Sequence, residues 1–251
     1  MSKPKRVIFL LLLTLFCRNA NSQNFMTNAL AKDTQRDSKI LRLLSLDGKN
    51  ENLKVIPDYD DNVLEIICLK DTLKIDDFWG VPPEIRLLSK NFVEIEYAVR
   101  GGSGVGLGNV MILCVKNHKI CNAFHVLKYM HGEGPDETDD YHIKLKLVTN
   151  NSKPVRLFVK IHDEEYSKYQ PEINYAYNNL SILSFDKRQN VFYSIKEVIY
   201  KNAVFKDRGG NKNTQTVRGN FPVIILGKNV YYFIKNSWFE LNDGNEFYLI
   251  N

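Results

Sequence analysis

The feature that most constrains the fold is an alternation of apolar and charged residues with a period of two. Val93, Ile95, Tyr97 and Val99 alternate with Glu94 and Glu96. Ile143, Leu145 and Leu147 alternate with His142, Lys144 and Lys146, and Val155, Leu157, Val159 and Ile161 with Arg156 and Lys160. Successive side chains of a strand point to opposite faces, so this pattern predicts half-buried antiparallel strands with one charged face. Short stretches with turn chemistry separate the runs: Ser89-Lys90-Asn91, Asn117-His118, Asn150-Asn151-Ser152, Gly227-Lys228-Asn229 and Asn242-Asp243-Gly244-Asn245. Roughly a dozen strands follow from that spacing, too few for a propeller of several four-stranded blades. The expected fold is mainly β, with antiparallel sheets arranged as a two-sheet sandwich or a curved sheet.

Four segments make up this expectation beyond the N-terminal 22 residues. Residues 23–62 form a polar stretch with one short helix, because Ser38 to Leu44 followed by Gly48 reads as a capped helical turn. Residues 63–205 carry the main antiparallel domain. Residues 206–220, with Gly209-Gly210 and few apolar side chains, read as an exposed loop or linker. Residues 221–251 read as a C-terminal meander packed on the main domain, rich in the aromatic residues that suit a pleated surface. Within the main domain, His162 to Asn179 lacks a clear period and reads as a helical turn or an ordered loop.

The first 22 residues carry the address. Lys3, Lys5 and Arg6 precede the unbroken apolar run Val7 to Phe16, and Ala20-Asn21-Ser22 places small residues where a signal peptidase cuts, before Gln23. The run is about ten residues, a signal-peptide core and half of the roughly 20 that span a bilayer as a helix. Cys17 offers the rival reading of a lipidated N-terminus, but Phe16 stands where such sites want a small residue. Cleavage would remove four of 34 basic residues and none of 29 acidic ones, leaving 30 against 29. The near balance gives no support to a nucleic-acid partner. No later apolar run reaches spanning length, so a soluble secreted or periplasmic protein is expected, without a transmembrane segment after cleavage. An oxidising compartment permits disulfides. A hairpin turning at Asn117-His118 would set Cys114 opposite Cys121, and the spacing leaves a bridge and two buried free thiols equally open.

Three groups of residues invite a functional reading. Arg100-Gly101-Gly102-Ser103-Gly104-Val105-Gly106-Leu107-Gly108-Asn109 resembles a phosphate loop in composition only, since it lies between two strands and lacks Gly-Lys-Ser/Thr. It reads as a mobile hairpin loop, and its functional alternative is a ligand-contacting flap of Arg100, Gly102, Ser103 and Gly104. The second group, His131 to His142, packs two imidazoles and five carboxylates into a predicted loop. His131, Glu133, Asp136, Asp139, Asp140 and His142 are the candidate ligands of a divalent cation, although no known zinc or calcium spacing is matched. The third group is the surplus of aromatics in the meander, Tyr231, Phe233, Trp238, Phe239, Phe247 and Tyr248. They pack under a second layer or form a patch, with Trp238 as the candidate contact.

Asp58 to Asn62 reads as an Asx-type turn. No catalytic elbow or nucleophile–base pair stands out, and no catalytic residue is assigned. The expectation is therefore an exported, non-catalytic binding module for an extracytoplasmic protein or carbohydrate, with no assigned cofactor. Its alternative is a secreted metal-assisted hydrolase using the His131 to His142 segment.

Overall fold

The computed structural model describes residues 38–102, 104–150, 153–198, 203–206, 212–215, 219–242 and 246–250. The predicted signal segment lies outside them. Among the described residues no helix is long and apolar enough to cross a membrane.

The described residues form three sheets in sequence order. The first contains β1 (Lys39–Leu44), β2 (Asn50–Asp58), β3 (Val63–Cys68) and β4 (Asp71–Ile75) as a simple antiparallel meander. The second and longest contains β5 (Glu84–Ser89), β6 (Phe92–Val99), β7 (Val105–Lys116), β8 (Lys119–Glu133), β9 (Glu137–Asn150), β10 (Lys153–Ser167), β11 (Tyr175–Asp186) and β12 (Val191–Tyr193), also a meander. The third contains β13 (Ile195–Val198), β14 (Ala203–Lys206), β15 (Lys212–Gln215), β16 (Asn220–Leu226), β17 (Asn229–Ile234), β18 (Ser237–Asn242) and β19 (Glu246–Ile250). Its order is β13-β16-β17-β18-β19-β14-β15, and β14 beside β19 is its parallel pair.

The mainly antiparallel β expectation holds, while three local expectations need correction. The predicted short helix is strand β1, in which Leu41 and Leu43 point into the core while Ile40 and Arg42 do not. Pairing with β2 along its whole length overrode a weak capping signal. The segment taken as a linker, residues 206–220, includes strand β15, which closes a hairpin with β14. Sheet boundaries fall at residues 76–83 and at Ser194, rather than at the expected segment ends. His162 to Asn179 holds one 3-10 turn, Pro171–Ile173, but its flanks are strand rather than loop, since β10 runs to Ser167 and β11 starts at Tyr175.

The long sheet is the middle layer. The clearest sign is β7, where Val110 to Val115 are all buried although they alternate in direction. Val110, Ile112 and Cys114 join a cluster with Leu157, Val159 and Ile161 of β10 and with Ile224, Tyr231 and Trp238 of the third sheet. Met111, Leu113 and Val115 join another with Leu53, Val55, Leu64 and Ile66 of the first sheet. A strand covered on both faces reads as a continuous apolar run, which is why this stretch breaks the alternation seen elsewhere. The long sheet also curls across its own inner face: β5 packs on β9, β12 packs on β8, and Phe92, Phe185 and Phe192 meet with ring centroids 5.0–5.6 Å apart. The outer face of the third sheet closes on a smaller core of Phe205, Tyr232, Phe239 and Phe247.

The first sheet covers the outer face of the long sheet only over β6, β7 and part of β8. On β9, β10 and β11 that face stays open.

Candidate functional site

The open half is a grid whose rows are set by register. His131 of β8 stands opposite Asp140 of β9, and Asp140 opposite Glu164 of β10. One row along, Tyr129, His142, His162 and Asn178 run across β8, β9, β10 and β11. Next come Lys144, Lys160 and Leu180, and then Lys146, Phe158 and Ile182. Directly opposed side chains lie roughly 4.5–5.5 Å apart at Cβ, so each row brings its groups into contact.

Asp140, His142 and His162 converge: one donor atom from each lies within 4.8 Å of the others. The two imidazole rings sit 4.7 Å apart at a 37° angle. His142 Nδ1 is 3.8 Å from Asp140 Oδ2. His162 Nδ1 lies 3.1 Å from Asn178 Oδ1, while its Nε2 is 3.4 Å from Glu164 Oε2. In the neutral tautomer, Nδ1–H donates to the Asn178 amide oxygen and leaves the Nε2 lone pair free, the arrangement that orients a metal-ligating histidine. Burial pushes the His142 pKa down, aided by His162, Lys144 and Lys128 and opposed by Asp140. The net effect keeps that ring in the neutral form a metal needs. Two nitrogens and a carboxylate form a donor set for zinc or another late first-row ion, whereas calcium prefers oxygen alone.

The predicted ligand set divides between faces. His131 to His142 is not a loop: β8 runs to Glu133 and β9 starts at Glu137, leaving Gly134 to Asp136 as the turn. Once the stretch is strand, alternation separates its donors. Asp140 and His142 are on the open face, with His131 Nδ1 3.9 Å from Asp140 Oδ1 at the edge of the cluster. Glu133 reaches only His131, at 3.9 Å, and is mostly exposed. Asp139 points the other way, where burial raises its pKa near Lys228, Glu165 and Asp163. Asp136 holds Tyr169 Oη at 2.6 Å and Lys168 Nζ at 2.9 Å, and both bonds keep its carboxyl below the usual range.

His162, the third member, was missed by sequence reasoning. The available signal was its place after Arg156 and Lys160 on the charged face of its strand. Register hid it: a plain hairpin from Asn150 opposite Lys153 would set His142 against Ile161, and the bulge between Lys153 and Arg156 moves it to His162.

The ligand flap fares differently. Arg100 stacks its guanidinium 5.3 Å over the Trp79 ring, Gly102 and Gly104 flank the turn into β7, and Ser103 lies outside the described residues. Gly106 and Gly108 belong to β7 itself. A Cβ on Gly108 would stand 2.1 Å from the Tyr129 ring, so this glycine makes room for an aromatic across the sheet rather than for a phosphate. Trp238 is not a surface contact; it is fully buried and its Nε1 donates to Asn122 O at 3.0 Å. The aromatics of the meander are divided between two cores.

Cys114 and Cys121 are register partners across the Asn117-His118 turn, and both carry free thiols. The hydrogen bond with Cys121 and burial together push the Cys114 thiol up, while the same bond lowers Cys121. Asp58 makes the expected Asx turn, accepting from the amides of Asp60 and Asp61 at 3.1 and 3.0 Å.

A second charged cluster lies on β5, β6 and β8. Arg86 Nη2 donates to Glu94 Oε1 at 2.6 Å, and Lys128 Nζ stands 2.9 Å from Glu96 Oε1. Burial, then the hydrogen bond with Glu96, pushes the Glu94 carboxyl up to about 7. Burial also acts to raise Glu96, but its bonds with Glu94 and Lys128 outweigh that and hold it low.

Comparisons with protein-family models, with curated proteins and with solved structures return no match for the chain.

Proposed function

We propose that this chain is an exported β-sheet binding module whose open sheet face holds a divalent transition-metal ion through Asp140, His142 and His162. The observation that carries the metal reading is the convergence of these three donors on two adjacent strands. Their neighbours support it, since Asn178 orients one ring and Glu164 stands beside it. Around the cluster, Leu180 is 53% exposed and Ile182 is 48% exposed beside Lys144 and Lys160, a mixed apolar and cationic surface suited to an extracytoplasmic protein or carbohydrate partner. Binding is favoured over metal-assisted hydrolysis by the shallow recess at the site. It has a volume of about 70 Å³, lined by His142, Lys144, Lys160, His162 and Asn178, against the several hundred Å³ typical of small-molecule sites.

Calorimetric titration with zinc should give one site per chain, and His162→Ala should weaken it by about tenfold or more. Failure of zinc, nickel and copper to bind saturably, or an unchanged affinity in the variant, overturns the metal reading. The export reading rests on the N-terminal sequence, and mass spectrometry of the native protein should find Gln23 first. A chain starting at Met1 sinks export, and a diacylated Cys17 replaces the soluble form with a lipoprotein.

A further inference from the structure

At one end of the curled long sheet, the connections joining β5 to β6, β7 to β8 and β11 to β12 meet beside the end of β9 and the start of β10. They surround a cavity of about 470 Å³ lined by Leu46, Ser89, Lys90, Asn91, Phe92, Lys116, Thr149, Val155, Phe185, Lys187 and Asn190. This is far from the histidine cluster in the strand register and has the size of a small-molecule site, in the kind of place, the mouth of a curled sheet, where such sites form.

Two properties of the lining define a ligand. Leu46, Phe92, Val155 and Phe185 make an apolar wall, within which the Phe92 and Phe185 rings meet edge to face at 5.2 Å. Lys90, Lys116 and Lys187 supply three cations, and the lining contains no carboxylate. The acids adjacent in sequence are already committed, Asp47 to Lys49 and the amide of Asn117, and Asp186 to Lys196 and the amides of Arg188 and Gln189. The cationic side of the cavity is therefore not neutralised from within.

The rim is also tied in place. Leu44 N donates to Lys90 O at 2.7 Å and Leu46 N to Val115 O at 2.8 Å, while Asn91 Nδ2 donates to Leu44 O at 2.6 Å. Lys116 Nζ reaches Lys187 O and Asn190 Oδ1, each at 3.2 Å. Bonds across separate connections hold the opening in shape before any ligand arrives, which lowers the entropic cost of binding.

We infer that this cavity binds a small amphiphilic anion, its apolar body against Phe92, Val155 and Phe185 and its acid group among Lys90, Lys116 and Lys187. The site is independent of the metal reading.

Decanoate is a suitable probe, with decyltrimethylammonium as the charge-reversed control. Titration followed by calorimetry, below the micellar concentration of each, should show one saturable decanoate site per chain and binding of the cationic amphiphile at least about tenfold weaker. The double variant Lys90→Glu, Lys187→Glu changes two exposed side chains and should fold normally, as thermal unfolding will check. It should lower decanoate affinity by about tenfold, while Lys144→Glu on the open face should leave it unchanged. Absence of saturable decanoate binding overturns the proposal. So does equal affinity for the two amphiphiles, or a correctly folded double variant that binds decanoate as the original chain does.

Discussion

Two halves of one sheet behave as different materials. Over β6 and β7 the long sheet is covered by the first sheet on its outer face, where the residues are Val93, Ile95, Met111, Leu113 and Val115, and the inner face of β7 packs with residues of the third sheet. Over β9 and β10 the inner residues, Ile143, Leu157, Val159 and Ile161, are equally buried, but the outward ones are His142, Lys144, Lys146, Arg156, Lys160 and His162. Covering decides the chemistry. Where a layer is present, a polar side chain would lose water without a partner. Where it is absent, titratable groups can stand side by side and still exchange ions with solvent.

The largest effect that can break this comparison is core truncation. Ile112→Ala and Leu113→Ala alter neighbouring residues that face opposite layers, and each should cost about 3 kcal/mol in chemical denaturation. Lys160→Ala on the open half should stay within about 0.5 kcal/mol. Indifference to the loss of Leu113 would mean that the first sheet is not a true covering layer.

Next in size is the pH response of the Glu94–Glu96 pair. With the folded pKa of Glu94 raised from 4.5 to about 7, the folded state keeps a proton that the unfolded state releases in that interval. Stability from this group is complete below about 4.5 and declines as pH climbs toward 7. Glu94→Gln, which cannot ionise, should flatten the dependence between pH 5 and 8 by about 1–3 kcal/mol. A variant with the slope of the parent would show that Glu94 does not titrate near 7 in the folded chain.

The metal cluster sharpens the comparison from the open side. Zinc affinity should fall by about tenfold or more between pH 7.5 and 5.5, because the imidazole nitrogens must be unprotonated to bind a metal. His142, whose pKa burial lowers, should protonate below the ordinary imidazole range, which histidine NMR can read. The smallest effect is expected from Leu180→Ser with Ile182→Ser. Both residues are exposed, and stability should move by less than about 0.5 kcal/mol. A larger loss would mean that something in the fold covers the open face.

Much of the β architecture was legible. The alternation at 143–147 and 155–161 marked strands with one wet face, and Asn117-His118, both at positive φ, marked the hairpin that pairs Cys114 with Cys121. The helix assigned to residues 38–44 failed because seven residues carry too little local information against a full-length strand partner. Two of the three donors of the proposed metal site, Asp140 and His142, were visible, but their selection was not, since five carboxylates in twelve residues look equivalent until a strand divides them by face.

The amino-acid sequence alone thus determined which residues alternate, where the chain turns, and which face of each strand resists burial, because those are properties of neighbours a few residues apart. Only the tertiary structure decided that a third layer buries both faces of β7 and sends Trp238 inward. It also decided that one bulge sets His162 beside His142. Layer order and register depend on contacts between segments far apart in the chain, and a one-residue shift in pairing exchanges the dry face of a strand for the wet one.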